Sequence, residues 1–284
     1  MIEKKVPLKD YCSYKTGGKA EFFTCPTDTF DLKVVLKFAS DNSIPVTLIG
    51  TGYNILVSDK GVKGLVVSTG CMNNDIQIEG ELVFAGAGVS LNDLILKCID
   101  NGLAGLENMS GIPGSVGGAV IMNAGAFGTE IKDVAVQIEM CGFDGVVSSI
   151  HAEDAGFGYR KAENLKGIVT GLGLKLEHGN KDELLAKRAE ILKKRSEKQP
   201  LEFPSCGSVF KRPEGGYAGT LIEQCGLKGY KIGGAQVSEK HANFIVNTGK
   251  AKSADIYALI NHVQETVFKE TGIKLEREVR FVGF

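Results

Sequence analysis

The chain is 284 residues long and 43% hydrophobic, enough to bury a sizeable core in one large domain or a few small ones. Its 33 Lys and Arg nearly cancel 34 Asp and Glu, leaving a formal net charge of −1. That balance excludes a broad electrostatic footprint for nucleic acid or an anionic membrane, so any bound anion must be held by local groups.

The N-terminal residues carry no apolar signal core, and no stretch approaches the roughly 18 apolar residues of a membrane helix. A pattern opening at Thr27-Asp28 predicts a helix with Leu32, Val35, Leu36 and Ala39 on one face, ended near Asn42 and Pro45. Strands over 46–49, 55–58 and 65–68 complete a βαββ-like N-terminal unit, and 76–78 with 82–85 begin a β-rich middle. Ser90-Leu91-Asn92-Asp93 reads as a capping box for a helix carrying Leu94, Ile95, Cys98 and Ile99, closed by Gly102. Strands over 134–141, 146–150 and 168–176 follow. A helix over 182–198 then presents Leu184, Leu185, Ile191 and Leu192 to a core. Its opposite face carries Lys187, Arg188, Lys193, Lys194 and Arg195, which reads as a solvated surface. Gln199-Pro200-Leu201-Glu202-Phe203-Pro204 breaks the helix and reads as a linker. The last helix starts at Ser253, carries Ile256, Ile260, Val263 and Val267, and closes at Thr271-Gly272.

Seven cysteines (Cys12, Cys25, Cys71, Cys98, Cys141, Cys206 and Cys225) form no Cys-x-x-Cys pair, and their odd count fits poorly with a disulfide framework. A reducing compartment and a soluble, cytoplasmic protein are the expectation. The four histidines lie far apart with no second His at i+4, so no metal site is expected.

Glycine makes up 37 of the 284 residues, nearly twice the usual share of about 7%, and recurs in pairs within ordered-looking segments. Gly111-Ile112-Pro113-Gly114-Ser115-Val116-Gly117-Gly118-Ala119 places glycines and a serine where backbone amides can converge on a phosphate. It lacks the Walker pattern, and Pro113 does not suit a Rossmann turn. Gly50-Thr51-Gly52-Tyr53-Asn54 is a second such turn, lying between two apolar runs as strand, tight turn, strand. The pair points to a bound nucleotide.

Several segments in this order resemble the UDP-N-acetylenolpyruvoylglucosamine reductase family, nearly end to end. They are the run from Gly50 to Asp59, Gly111 to Gly118 with Asn123-Ala124-Gly125-Ala126-Phe127-Gly128, and Gly156-Phe157-Gly158-Tyr159-Arg160. Gly207-Ser208-Val209-Phe210-Lys211, Ile232-Gly233-Gly234-Ala235, His241-Ala242-Asn243-Phe244 and Glu278-Val279-Arg280-Phe281 follow. Tyr53 and Arg212 depart from common forms of the pattern, which have Ser and Asn there. The length looks like the family's shorter class.

The resemblance implies an α+β protein of three domains. A two-domain FAD-binding unit of the vanillyl-alcohol oxidase type would span 1–70 and 71–199. A smaller α/β substrate-binding domain would span 200–284, its last strand able to return to the flavin unit. It also implies FAD and NADPH as cofactors and UDP-N-acetylglucosamine enolpyruvate as substrate, with reduction of the enol ether in peptidoglycan precursor synthesis. By the same resemblance Ser208 is the proton donor to C2, Glu278 the second acid, and Arg160 the cation facing the enolate. FAD would lie along Gly50, Thr51, Gly52, Tyr53 and Asn54, with Gly114, Ser115, Gly117 and Gly118 at its pyrophosphate and Asn123 and Gly125 at the flavin ring. Lys211 is expected near Ser208, and Lys228, His241, Asn243 and Arg280 at the UDP-sugar.

Read as residues alone, Gly207-Ser208 is a capped turn and Glu278-Val279-Arg280 a strand edge whose two charged residues share a face. Tyr159 suits ring packing or a phosphate contact, and His241 packing or a ligand contact. Cys206 reads as a small apolar residue, since no His stands near it in sequence. An FAD-linked oxidase or hydroxy-acid dehydrogenase on the same scaffold, and a non-catalytic flavin sensor, are the competing readings.

Overall fold

The computed structural model describes residues 1–284. They form two compact units, one holding Met1–Glu3, Phe23–Thr51 and Gly64–Arg195, the other Lys4–Phe22, Gly52–Lys63 and Ser196–Phe284. Segments 4–22 and 52–63 belong with the C-terminal part of the chain and hydrogen-bond with it. Asn247 Nδ2 donates to the Tyr14 carbonyl at 2.8 Å, and Asn54 Nδ2 to that of Glu278 at 3.1 Å.

Strands β1 (Glu3–Pro7) and β2 (Lys19–Thr24) precede helix α1 (Thr29–Asp41), and β3 (Val46–Ile49), β4 (Ile55–Val57) and β5 (Val62–Ser68) follow. The Asp28 carboxylate accepts from the Asp31 amide at 2.8 Å and starts α1, whose buried face is Leu32, Val35, Leu36 and Ala39. Strands β1, β2, β5 and β3 form one sheet in that order, with β3 and β5 parallel from Val46↔Leu65 to Ile49↔Ser68. The expected βαββ grouping fails at β4. That strand pairs in parallel with the C-terminal strand, Ile55 opposite Arg280 and Val57 opposite Val282.

In the first unit, β6 (Ile76–Glu79) and β7 (Leu82–Gly86) lead to α2 (Leu91–Asp100) and the short α3 (Val116–Ile121), then β8 (Ala135–Cys141), β9 (Val147–His151) and β10 (Ile168–Lys175). The five strands make an antiparallel sheet in the order β9-β8-β10-β7-β6. Leu94, Ile95, Cys98 and Ile99 of α2 join Val83, Ala85, Ile138, Val169 and Leu172 of that sheet in one core. Burying such side chains contributes about 1.5–3 kcal/mol each. The Ser90 hydroxyl accepts from the Asp93 amide at 3.4 Å, the N-cap half of the expected capping box.

Helix α4 (Lys181–Lys198) buries Leu184 and Ile191, whereas Leu185 is exposed. Its basic face is not uniformly solvated: Lys187, Lys193 and Lys194 are exposed, while Arg188 and Arg195 are partly buried. The disulfide expectation is also corrected. Cys25 and Cys71 are bonded, with Cα atoms 5.6 Å apart, because β2 and β5 are neighbours and each cysteine follows the end of one of them. A parity count over the sequence cannot see that adjacency. The other five cysteines are free thiols, and no helix is long and apolar enough to cross a membrane.

In the second unit α5 (Ala218–Gln224) precedes a small antiparallel sheet of Lys231–Ile232, β11 (Ala235–Val237) and β12 (Ile245–Asn247). Helix α6 (Ser253–Thr271) buries Ile256, Leu259, Ile260, Val263 and Val267, and β13 (Arg280–Val282) is the partner of β4. The start of α6 is capped from a distance. The Asp59 carboxylate accepts from the Ser253 amide at 3.0 Å and from the Ala254 amide at 2.9 Å, satisfying two first-turn donors and opposing the positive end of the helix dipole. Asp59→Ala is expected to cost about 1–2 kcal/mol, read as a lower urea midpoint. Asp59→Asn keeps one acceptor oxygen and should recover part of it.

Candidate functional site

In the first unit, β3 ends against the turn Gly50-Thr51. The Ser68 hydroxyl holds it from behind by donating to the Gly50 carbonyl at 3.2 Å. The glycine-rich loop is fastened to the start of α2: the Leu91 amide donates to Gly114 O at 3.0 Å, Ser90 pairs with Ser115, and the Val116 amide donates to Val89 O at 2.8 Å. Within this frame the Ser115 hydroxyl is buried and has no hydrogen-bond partner. A methyl group placed on Gly50 or on Gly118 would lie 3.7 Å from that oxygen, and one on Gly114, whose φ is +123°, would lie 3.8 Å from Thr51 Oγ1. Clear glycine faces around an unpaired donor fit a phosphate-bearing cofactor, because an orphaned buried hydroxyl costs about 1–3 kcal/mol unless a ligand accepts from it.

Neighbouring glycines in the same motifs serve differently. The Gly117 amide is spent on Ala87 O at 2.9 Å, and a methyl there would sit 3.0 Å from Ala87 Cβ, so this glycine packs the loop onto its sheet. Gly52, in the second unit, has φ +80°, and a side chain on it would strike the Tyr11 carbonyl. Asn54 is committed to the Glu278 carbonyl and accepts from the Arg280 amide at 3.0 Å. Tyr53 is 44% exposed.

Asn123, expected at the flavin ring, is fully buried in a left-handed conformation with hydrogen bonds at both its Nδ2 and its Oδ1. Its Nδ2 donates to Glu130 Oε2 at 3.0 Å and to Gly158 O at 3.1 Å, and its Oδ1 accepts from the Lys132 amide at 3.0 Å. It ties loops together. Gly125 leaves no room for a side chain because Glu130 Cγ and Thr129 O would lie 2.6 Å from it, and its carbonyl accepts from Arg160 Nη2 at 3.0 Å. Tyr159 and Arg160 form the turn of the hairpin in which Gly158 faces Lys161. Arg160 has φ +58°, a strained backbone for a long side chain that places cluster at functional sites, and its guanidinium carbon lies 5.2 Å from the Tyr159 ring centre. These bonds aim the guanidinium from a fixed support.

In the second unit, Ser208 and Glu278 stand on hydrogen-bonded neighbours. Ser208 bridges Phe244, and Val209 O accepts from the Glu278 amide at 2.8 Å. Asn243, expected at the sugar, clamps this segment. Its Oδ1 accepts from the Phe210 amide at 3.0 Å and its Nδ2 donates to Phe210 O at 2.8 Å. Lys211 is paired with Glu276 rather than with Ser208, and Lys228 with Glu223. Burial, with Lys228 nearby, holds His241 below its usual pKa; its Nδ1 accepts from the Asn243 amide at 3.3 Å and its ring packs 4.9 Å from Phe244. Arg280 is exposed beside buried Val279, on the same alternation as Glu278.

Cys206 donates its S–H to Tyr14 Oη at 3.2 Å, and burial pushes its pKa up to about 12, with the Glu278 charge acting in the same direction. It is a packed thiol and no nucleophile. Tyr14 had no signal in the sequence: it is fully buried, and its own pKa is raised well above the ordinary value by the same desolvation.

Residues 199–282 match the UDP-N-acetylenolpyruvoylglucosamine reductase C-terminal domain, and residues 20–151 match the FAD binding domain. The UDP-N-acetylenolpyruvoylglucosamine reductase of Agathobacter rectalis is 44% identical over 98% of this chain and 92% of its own length, and that of Pediococcus pentosaceus 42% identical over 98% and 93%. The crystal structure of the Thermus caldophilus reductase superposes with a TM-score of 0.86 at 37% identity, covering 99% of each chain. A glucose oxidase variant of Phl p 4 shares the fold alone, at TM-score 0.51 and 15% identity over 62% of this chain and 41% of its own. The α+β architecture thus joins an FAD binding domain to a reductase C-terminal domain, and the chain belongs to the UDP-N-acetylenolpyruvoylglucosamine reductase family.

Proposed function

We propose that the chain catalyses the NADPH-dependent, FAD-mediated reduction of UDP-N-acetylglucosamine enolpyruvate to UDP-N-acetylmuramate, as a cytoplasmic enzyme of peptidoglycan precursor synthesis. The observation that carries this reading is the Glu278 amide donating to the carbonyl of Val209, the residue that follows Ser208, in a chain related to these reductases over nearly its whole length. FAD, when bound, supplies hydride to the substrate's C3. The protein's part is to hold the cofactor, stabilise charge that develops beside the substrate carboxylate, and deliver a proton to C2.

Gly50, Thr51, Gly114, Ser115 and Gly118 hold the cofactor's pyrophosphate, the Ser115 hydroxyl finding there the acceptor it otherwise lacks. Arg160 offers a planar fork to the carboxylate and to the developing enolate charge, a geometry that Lys does not reproduce. Ser208 donates the proton to C2. A free serine is a weak acid, so it needs an acid-base partner, and with Lys211 bound to Glu276 that role falls to Glu278 on the adjoining strand. Asn243 and Asn54 keep the two backbones in register.

Ser115→Ala should weaken FAD binding by about ten- to a hundredfold, the worth of a hydrogen bond to a charged acceptor. The cofactor-free protein should melt no lower, because a buried unsatisfied hydroxyl has been removed. Flavin fluorescence titration and a thermal melt measure the two halves, and unchanged affinity would place the pyrophosphate elsewhere. Arg160→Lys is expected to lower turnover at least about a hundredfold, with flavin content unchanged.

Ser208→Ala separates the half-reactions. NADPH should bleach the flavin at the normal rate, whereas reoxidation by substrate should slow by roughly 10² to 10⁴. Rapid-mixing absorbance traces decide it: equal slowing of both phases would make Ser208 part of the flavin site, and normal reoxidation would move the proton to Glu278.

A further inference from the structure

The dinucleotide pyrophosphate is dianionic, yet neither Gly50-Thr51 nor the loop from Gly111 to Ala119 contains a Lys, Arg or His. With a net charge of −1 the whole protein offers no general positive field to compensate. The donors at the cradle are a hydroxyl and backbone amides. A cation must come from another element.

Helix α4 brings one. Arg188 Nη2 donates to Asn92 Oδ1 at 2.8 Å in the first turn of α2, the same terminus that holds Gly114 through Leu91 and Ser115 through Ser90. Two turns further along α4, Leu192 and Arg195 lie on the first glycine of the loop. A methyl placed on Gly111 would sit 2.8 Å from Leu192 Cδ2, 2.9 Å from Arg195 Nε and 3.0 Å from Arg195 Cδ. Gly111, at φ +79°, is what lets the guanidinium stem rest there.

Arg195 differs from the lysines of its helix. Lys187 and Lys194 are exposed and paired with Glu190, whereas Arg195 is partly buried and no carboxylate offsets the desolvation that lowers its pKa. An uncompensated buried cation is costly, and an anion arriving beside it recovers that cost. We propose that Arg195 is the counter-charge for the pyrophosphate of the bound flavin dinucleotide, reaching it over Gly111 from α4. This rests on the flavin-binding reading above. The guanidinium suits the role because its fork can bond two phosphate oxygens at once.

Cofactor-free protein titrated with FAD and with riboflavin, which has the ring but no phosphate, tests it without any turnover. Arg195→Gln should weaken FAD by about ten- to a hundredfold, leave riboflavin unchanged, and flatten the loss of FAD affinity with added salt. Arg195→Lys should recover part of the loss, and Lys194→Gln, which removes a charge from the exposed face, should bind FAD normally. Equal weakening of FAD and riboflavin would mean that Arg195 only props the loop, and normal FAD affinity in both Arg195 variants would also overturn the proposal. Wild-type protein that binds FAD while Arg195→Gln binds it equally well sinks this inference alone; wild-type protein that binds no FAD sinks the flavin reading itself.

Discussion

A hydroxyl shut away from water with nothing to bond is a debt in the folded state, and the Ser115 hydroxyl is one. The first unit is arranged around it. Two backbone bonds pin the loop to the start of α2, a serine behind Gly50 fixes the facing turn, and clear glycine faces keep the space open. A fold that only needed stability would have put alanine at 115, since replacing an unsatisfied polar atom by an apolar one is neutral or favourable. Under the proposed cofactor placement, keeping serine trades stability for binding, with the pyrophosphate as the missing acceptor.

The second unit solves a different problem by different means. The proton delivery proposed for Ser208 demands a fixed geometry, because a weak acid acts only when its partner is held in place. The structure meets that demand with side-chain amides bonded to backbone. Asn243 grips both polar groups of Phe210, and Asn54 grips Glu278. Tyr14 and Cys206 fill the neighbouring interior with polar atoms satisfied by each other and kept neutral by burial. Arg160 is handled similarly in the first unit, where Asn123 and Gly125 set the loops on which its strained turn stands.

What could be read from the sequence was what is encoded locally. The caps of α1 and α2 and the apolar spacing of α1 and α6 lie within a few residues of one another, so periodicity and capping chemistry reached them. Family motifs located the candidate site but not the division of labour within it. Gly117 and Gly118 are adjacent and identical, and only the position of Ala87 makes one a packing residue and the other a clear face. Asn123 and Asn243 look like ligand contacts because they are polar and stand inside motifs, yet their bonding capacity goes to backbone and to neighbouring loops. The disulfide, the Asp59 cap and the approach of Arg195 to Gly111 join residues distant in the chain, and no local pattern announces any of them.

The interleaved path of the chain bears on modularity. A C-terminal piece cut at the apparent linker would take α6 and β13 with it but leave behind 52–63, which holds the partner strand of β13 and the Asp59 cap of α6. It would also lack Tyr14, so the Asn247 amide and the Cys206 thiol would each lose the group they bond. The reductase half of this protein is therefore not a cassette. Evolution or an engineer who exchanges it for another C-terminal domain must exchange an excursion of the N-terminal half as well, and substrate range in such a chain is expected to drift by point substitution rather than by domain shuffling.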